Sequence, residues 1–375
     1  MKTNAATVGE LETTASLTAG ATAQDDLEVT GLTPGYYYIT TTTGTVVSAH
    51  TSSGTTVNDK NPPTDIDKEI TGVGTGDVTA DKEKALAQIG TTVDFEAAVE
   101  IQNGAKNYVF KDNMSAGLTL NSSSVKVYLR DNGTDTEVAS GYGTPTIDNT
   151  KTTETIKIVF DQDWLTTNVG KTIVVKYTAT VNANAYIADQ ANPNKAIIEW
   201  GNTDNFLHKE DDVEVWSAKI TVKKVDGNGA PLEGAGFVLK NNIDDKYYVN
   251  TNGIVTWTST KAEATIIYPV QADDGSGNKT GDAVADFAGI ANGTYTIIEE
   301  VVPEGYNKAA DQQVTIEDAD ATPLTLEVIT TVTNNAGQEL PSTGGIGTTI
   351  FYTAGIVLVL GAAAIIIARR KAEQN

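Results

Sequence analysis

Thr172-Ile173-Val174-Val175-Lys176-Tyr177-Thr178-Ala179-Thr180-Val181 is a run of β-branched and aromatic residues, the pattern of a strand rather than of a helix. Working outward, the same signal recurs at Tyr36 to Val47, Thr155 to Phe160, Lys219 to Val225 and Thr294 to Glu299. Clusters of Gly, Asn, Asp and Pro separate these runs and end them. Many short strands with such punctuation predict an all-β chain of tandem immunoglobulin-like sandwiches, strung end to end as a rod. The one helical pattern before residue 346 is Asp81 to Ile89 (DKEKALAQI), short enough to be either a helix or a loop turn.

At 375 residues the chain is too long for one typical domain and long enough for two or three, each with its own core. Pro62-Pro63-Thr64 breaks any strand and predicts a boundary near residue 63; a second is expected near Trp216. The expected units are 1–62, the end of a truncated β domain; 64–216; 217–336; and 337–375, a linker and C-terminal tail.

Composition excludes several functions. The formal charge of -23 is spread along the chain, so nucleic acid is not an expected partner. There is no cysteine, hence no disulfide framework and no thiolate metal site. His50 and His208 stand alone, and no metal, nucleotide or nucleophile constellation accompanies them, so no cofactor, metal or turnover enzyme is expected. Asp273-Asp274-Gly275-Ser276-Gly277-Asn278 has the opening of a calcium loop but lacks the terminal Glu, and is read as a hairpin tip.

The segment 346–368 is apolar and uncharged, and at about 1.5 Å per residue it is long enough for a bilayer core of about 30 Å. Arg369, Arg370 and Lys371 follow, which predicts a cytoplasmic tail and an exported ectodomain. Met1 to Glu10 carries no apolar signal-peptide region, so further N-terminal sequence is expected upstream. Immediately before the apolar segment stands Leu340-Pro341-Ser342-Thr343-Gly344-Gly345. Pentapeptide, apolar span and basic tail in this order resemble the LPXTG sorting signal of sortase substrates. The resemblance implies that a sortase cysteine attacks the Thr343 carbonyl, releases Gly344 onward, and passes the acyl group to an amine of peptidoglycan or of a neighbouring subunit. The membrane would then hold the precursor only, and the mature protein would be secreted and attached to the cell wall.

Ile220-Thr221-Val222-Lys223-Lys224-Val225-Asp226, Pro231 to Phe237, Tyr295 to Tyr306 (YTIIEEVVPEGY) and Val332-Thr333-Asn334 resemble the first strand, following loop, E-box and last strand of Cna-B type pilin and adhesin modules. That family joins a first-strand lysine to a last-strand asparagine by an intramolecular isopeptide bond, assisted by a buried glutamate. Matched residue by residue, the resemblance implies Lys224, Asn334 and Glu299. Lys223 and Glu300 are the competing neighbours, and strand alternation sends each to the opposite face. Burial disfavours charged forms, so a core lysine becomes a nucleophile. The buried Glu299 carboxyl is expected to polarise the Asn334 carbonyl and to shuttle protons as ammonia leaves, once per molecule.

Ile66-Asp67-Lys68, Val109 to Thr119 (VFKDNMSAGLT) and Asn192-Pro193-Asn194-Lys195-Ala196 resemble the fimbrial isopeptide-forming D2 domain of Gram-positive backbone pilins. This implies a Lys68 to Asn194 bond with Asp112 as the assisting acid; Glu96 is the alternative acid, and Asn192 the alternative partner if the register slips by two. Asp112 also has a plain reading as a loop residue bonding its own turn.

Lys224 and Asn334 are 110 residues apart (334 − 224), and Lys68 and Asn194 are 126 apart (194 − 68), so each bond is expected to close nearly a whole domain. By analogy with disulfides, closing a loop of about 100 residues stabilises by roughly 4.7 kcal/mol. First-strand to last-strand bonds would carry tension past the strands between.

Backbone pilins also need an acceptor lysine near the junction of their first two domains, and Lys60 stands at the matching place. Asn58-Asp59-Lys60 replaces the usual Tyr-Pro-Lys, so a plain linker lysine remains the other reading. The expected function is a pilus shaft subunit that supports adhesion; the alternative is a monomeric wall-anchored adhesin whose N-terminal region binds a host surface ligand.

Overall fold

The computed structural model describes residues 34–40, 46–51, 64–104, 106–202 and 205–337. Lys60, the sorting signal Leu340 to Gly344 and the apolar segment 346–368 lie outside them. No helix among the described residues is long and apolar enough to cross a membrane.

The first described element is a hairpin of β1 (Gly35–Thr40) and β2 (Val46–Thr51). The run Tyr36 to Val47 therefore divides between two strands. The next sandwich contains β3 (Asp67–Val73), β4 (Gly76–Val78), β5 (Lys84–Ala87), β6 (Thr92–Glu100), β7 (Val109–Met114), β8 (Leu118–Leu120), β9 (Lys126–Asp131) and β10 (Thr134–Glu137). It continues through β11 (Thr146–Ile147), β12 (Ile156–Val159), β13 (Thr172–Val181), β14 (Asn192–Asn202) and β15 (Asn205–Trp216). One sheet runs β10-β9-β13-β6-β3, with β8 also on β13; the facing sheet runs β11-β12-β7-β14-β15-β5-β4.

After Ser217 a second sandwich begins with β16 (Ala218–Asp226) and β17 (Gly236–Asn241), followed by β18 (Tyr247–Thr251), β19 (Ile254–Thr258) and β20 (Val270–Asp273). It is completed by β21 (Lys279–Ile290), β22 (Gly293–Val301), β23 (Gln312–Ile316) and β24 (Glu327–Asn334). Its sheets run β20-β21-β16-β24 and β19-β18-β17-β22-β23. The first and last strands, β16 and β24, are parallel neighbours, with Lys224 opposite Val332 and Asp226 opposite Asn334.

Strand alternation builds both cores. In β13 it turns Ile173, Val175, Tyr177 and Ala179 inward, and in β7 it does the same for Phe110, Asp112 and Met114. The helical pattern Asp81 to Ile89 forms no helix: its first residues are a turn, and Lys84–Ala87 is a strand between β4 and β15. Ala85, Leu86 and Ala87 are all fully buried there, so sheet pairing and burial on both faces override a helical propensity worth a few tenths of a kcal/mol per residue. The turn Asp273 to Asn278 is a hairpin tip, with Asp273 Oδ1 accepting from the Gly275 and Gly277 backbone N–H groups.

The two sandwiches touch at several places, among them Asp77 and Ala80 with Ala319 and Asp320, and the chain that follows β5. Gln88 Nε2 donates to the Val255 carbonyl at 2.9 Å, and Trp257 Nε1 donates to Gln88 Oε1 at 2.5 Å. Ser217 Oγ donates to the Ala87 carbonyl at 2.7 Å.

Candidate functional site

In the first sandwich Lys68 comes from β3 of one sheet, while Asp112 on β7 and Asn194 on β14 come from the facing sheet. All three are 0% exposed. Lys68 Nζ donates to Asp112 Oδ2 at 2.7 Å and also to the Tyr177 hydroxyl, which in turn donates to Asp112 Oδ2. Asn194 Nδ2 donates to the same hydroxyl at 3.3 Å. Asp112 Oδ1 and Asn194 Oδ1 are buried without a hydrogen-bond partner. The amine lies 5.3 Å from the Phe95 ring centroid and 4.9 Å from that of Tyr177.

Burial here outweighs ion pairing. Removing two charges from water costs several kcal/mol each, more than one contact in a dry pocket returns. Desolvation pulls the Lys68 ammonium below its ordinary range despite the neighbouring Asp112, and pushes the Asp112 carboxyl up despite Lys68. Both shifts favour a neutral amine beside a neutral acid, the protonation state from which an amine attacks a carboxamide.

The alternatives fall elsewhere. Glu96 is on the outer face, held by Arg130 at 2.7 Å and by Lys176 at 3.1 Å. Asn192 is saturated: it accepts from the Tyr186 N–H and donates to the Tyr186 and Val215 carbonyls. A Cβ on Gly117 would lie 2.1 Å from Asn192 Oδ1, so Asn192 packs the β7–β8 turn.

In the second sandwich the arrangement differs. Lys224 and Asn334 stand on the same face of adjacent strands of one sheet, and Glu299 comes from β22 opposite. Lys224 and Asn334 are 0% exposed and Glu299 2%. Asn334 Nδ2 donates to the two Glu299 oxygens at 2.8 and 3.1 Å and to the Asn307 carbonyl at 2.9 Å. The Ala309 backbone N–H holds Glu299 Oε2 at 2.7 Å. Among the described residues Lys224 Nζ reaches only the Val225 carbonyl, at 2.7 Å, and Asn334 Oδ1 has no hydrogen-bond partner. Burial lowers the Lys224 ammonium too. Glu299 thus meets Nδ2 of Asn334 rather than its carbonyl oxygen, an arrangement different from the expected polarising contact. Lys223 pairs with Asp282 at 2.7 Å and Glu300 with Lys261, both on the outside.

Three groups escaped the sequence reading. Tyr177 carried a readable signal, since an inward tyrosine on an alternating strand needs a partner for its hydroxyl. The loop groups Asn307 and Ala309 carried none, because any residue type supplies a backbone carbonyl or N–H.

A SpaA-type family described as a prealbumin-like fold domain matches residues 218–330, and the family described as the LPXTG cell wall anchor motif matches 332–374. The chain is 26% identical to the trypsin-resistant surface T6 protein of Streptococcus pyogenes serotype M6, over 82% of this chain and 68% of that protein. The crystal structure of the group B streptococcus pilus 2b backbone protein is similar with a TM-score of 0.55 at 28% identity, covering 68% of this chain and 97% of that one. The chain is a Gram-positive LPXTG pilin. The full-length major pilin RrgB of Streptococcus pneumoniae, with a TM-score of 0.54 at 13% identity, shares the fold of this pilin. The anchor match covers Leu340 to Gly344, so the pilin is a cell-wall-anchored surface protein.

Proposed function

We propose that this pilin, a pilus shaft subunit, is a sortase acyl donor through Thr343 and is stapled within each described sandwich by an isopeptide bond, Lys68 to Asn194 and Lys224 to Asn334. The carrying observation is that each sandwich buries an amine, a carboxamide and a carboxyl together, with the carboxamide oxygen unpartnered. A buried lysine left as an ammonium costs several kcal/mol, and conversion to a neutral amide removes that cost. The amine nitrogen bonds to the asparagine Cγ, the Cγ–Nδ2 bond breaks, and ammonia leaves. The reaction occurs once, so the protein remains structural.

Intact mass of the purified ectodomain tests the staples. The expected value is the sequence mass less one ammonia per bond, and an undiminished mass overturns the reading. Polymerisation is tested on wall extracts released by a muramidase and boiled in detergent. A ladder that collapses to one band in Lys60→Ala supports a shaft joined through Lys60. A single band in the parent chain identifies a monomeric adhesin instead, and an unchanged ladder in the variant assigns the acceptor to another lysine.

A further inference from the structure

Resting on the first of these bonds, we propose that Tyr177 is a catalytic residue of its formation, its hydroxyl relaying a proton from Lys68 Nζ to the departing Nδ2 of Asn194. The geometry is specific to this oxygen. It accepts from Lys68 Nζ and from Asn194 Nδ2, the nucleophile and the leaving group, and it donates to Asp112 Oδ2. Asp112 bonds Lys68 directly, and the Nδ2 of Asn194 has the tyrosine as its hydrogen-bond partner. The path from one reacting nitrogen to the other therefore passes through the hydroxyl. It is fixed in place: Tyr177 lies opposite Phe95 in the β13–β6 register, and the two rings stack at 5.6 Å with a 25° interplanar angle.

The proton count closes with these groups alone. Lys68 ammonium first passes one proton to Asp112, directly or through the hydroxyl, leaving a neutral amine and a neutral acid. The amine adds to Asn194 Cγ, so the new C–N bond places a positive charge on Nζ and a negative one on Oδ1. Tyr177 takes one Nζ proton while giving its own to Nδ2. The carbonyl re-forms, the Cγ–Nδ2 bond breaks, and ammonia departs. One hydrogen stays on Nζ as the amide N–H, Asp112 keeps its proton, and Tyr177 ends as it began. Burial holds the hydroxyl well above its ordinary pKa, which suits a group that exchanges protons without becoming a phenolate. The second sandwich works differently, with Glu299 already on the leaving nitrogen.

The test is the rate at which the ectodomain, made by cell-free synthesis, loses the first ammonia, read as the Lys68–Asn194 cross-linked peptide by mass spectrometry. Tyr177→Phe keeps the ring stack and removes the relay, so a fall of roughly 100-fold is expected, with the Lys224–Asn334 peptide in the same molecules formed at the parent rate. Phe95→Leu disturbs the packing and keeps the hydroxyl; a fall equal to that of Tyr177→Phe would make the role one of packing and overturn the proposal. Formation at the parent rate in Tyr177→Phe also overturns it. Should Tyr177→Phe not fold, 3-fluorotyrosine at position 177 decides, since it keeps ring and hydroxyl but changes the acidity. A relay changes both rate and solvent deuterium isotope effect, and an unaltered rate rejects the relay. A parent chain that never forms the first cross-link instead removes the staple reading on which the relay rests.

Discussion

The two sandwiches bury the same three functional groups and use them in different geometries. In the first, the lysine crosses from one sheet to an asparagine on the other; in the second, lysine and asparagine are neighbours in one sheet and only the acid comes from across the core. The placement along the chain differs as well. Asn334 closes the last strand, so the second bond would pass tension from β24 straight into β16. Asn194 instead opens the penultimate strand and lies opposite Val213, which leaves residues 195–216 outside the loop that a Lys68–Asn194 bond would close. That corrects the expectation of a staple from first strand to last in both domains. Tension entering at Trp216 would peel β15 from β14 at the open end of their hairpin. What resists it is local: Asn192 on the Val215 carbonyl, Ser217 on the Ala87 carbonyl, and the parallel pairing of β15 with β5.

The largest effect that would break or sharpen this contrast is mechanical. In single-molecule pulling, Asn334→Ala should release the second sandwich in one step of about 370 Å, from roughly 3.4 Å per extended residue between Lys224 and Asn334. The parent chain should show no such step and only a short one of about 70 Å from residues 195–216. A parent trace without the short step would show that the hairpin is shielded like the rest.

Next in size, Glu299→Ala should retain the fold and lose the second bond alone, so its intact mass should fall short of its own sequence mass by one ammonia, where the parent falls short of its own by two. A full mass deficit in this variant would move the role to another group.

A smaller effect is a pH dependence confined to the unlinked first site. With Asn194→Ala, Lys68 remains a titrating amine whose folded-state pKa lies below 10.5. Between that lowered value and about 10, the unfolded chain binds more protons than the folded one. Stability should therefore rise with pH by up to about 1.4 kcal/mol per unit. Above 10.0 the Tyr177 hydroxyl, held protonated in the fold, acts in the opposite direction. Urea unfolding across this range should show the rise in Asn194→Ala and not in the linked parent.

The smallest effect concerns the joint. Gln88→Ala leaves the Trp257 indole N–H and the Val255 carbonyl without their partner, a loss of about 1–3 kcal/mol. It should appear as faster amide exchange around Val255 while both cross-linked peptides remain. Unchanged exchange would mean that the two sandwiches do not depend on this contact.

Much of the site was legible in the sequence, for reasons tied to particular residues. Lys224 and Glu299 were distinguishable from Lys223 and Glu300 by the register of the Cna-B type motifs they resemble, alternation adding only that adjacent side chains face opposite ways. Asp112 and Glu96 were not distinguishable in that way, since each sits in an alternating run. Only the pairing of β6 with β3 and β13 places Glu96 among Arg130 and Lys176, outside the core. Lys84–Ala87 was illegible for a related reason: its strand is imposed by partners far away in sequence.

By itself the sequence determined the class of fold, the sorting signal, and which lysine, asparagine and acid types were available, because these follow from local periodicity and contiguous motifs. Tertiary structure alone decided that the Tyr177 hydroxyl stands between Lys68 Nζ and Asn194 Nδ2, that Glu299 meets the nitrogen rather than the oxygen of Asn334, and that the β14–β15 hairpin falls largely outside residues 68–194. Those depend on which strands face each other across the core and in what register, and contacts between residues 17, 35 or 109 positions apart leave no trace in local sequence pattern.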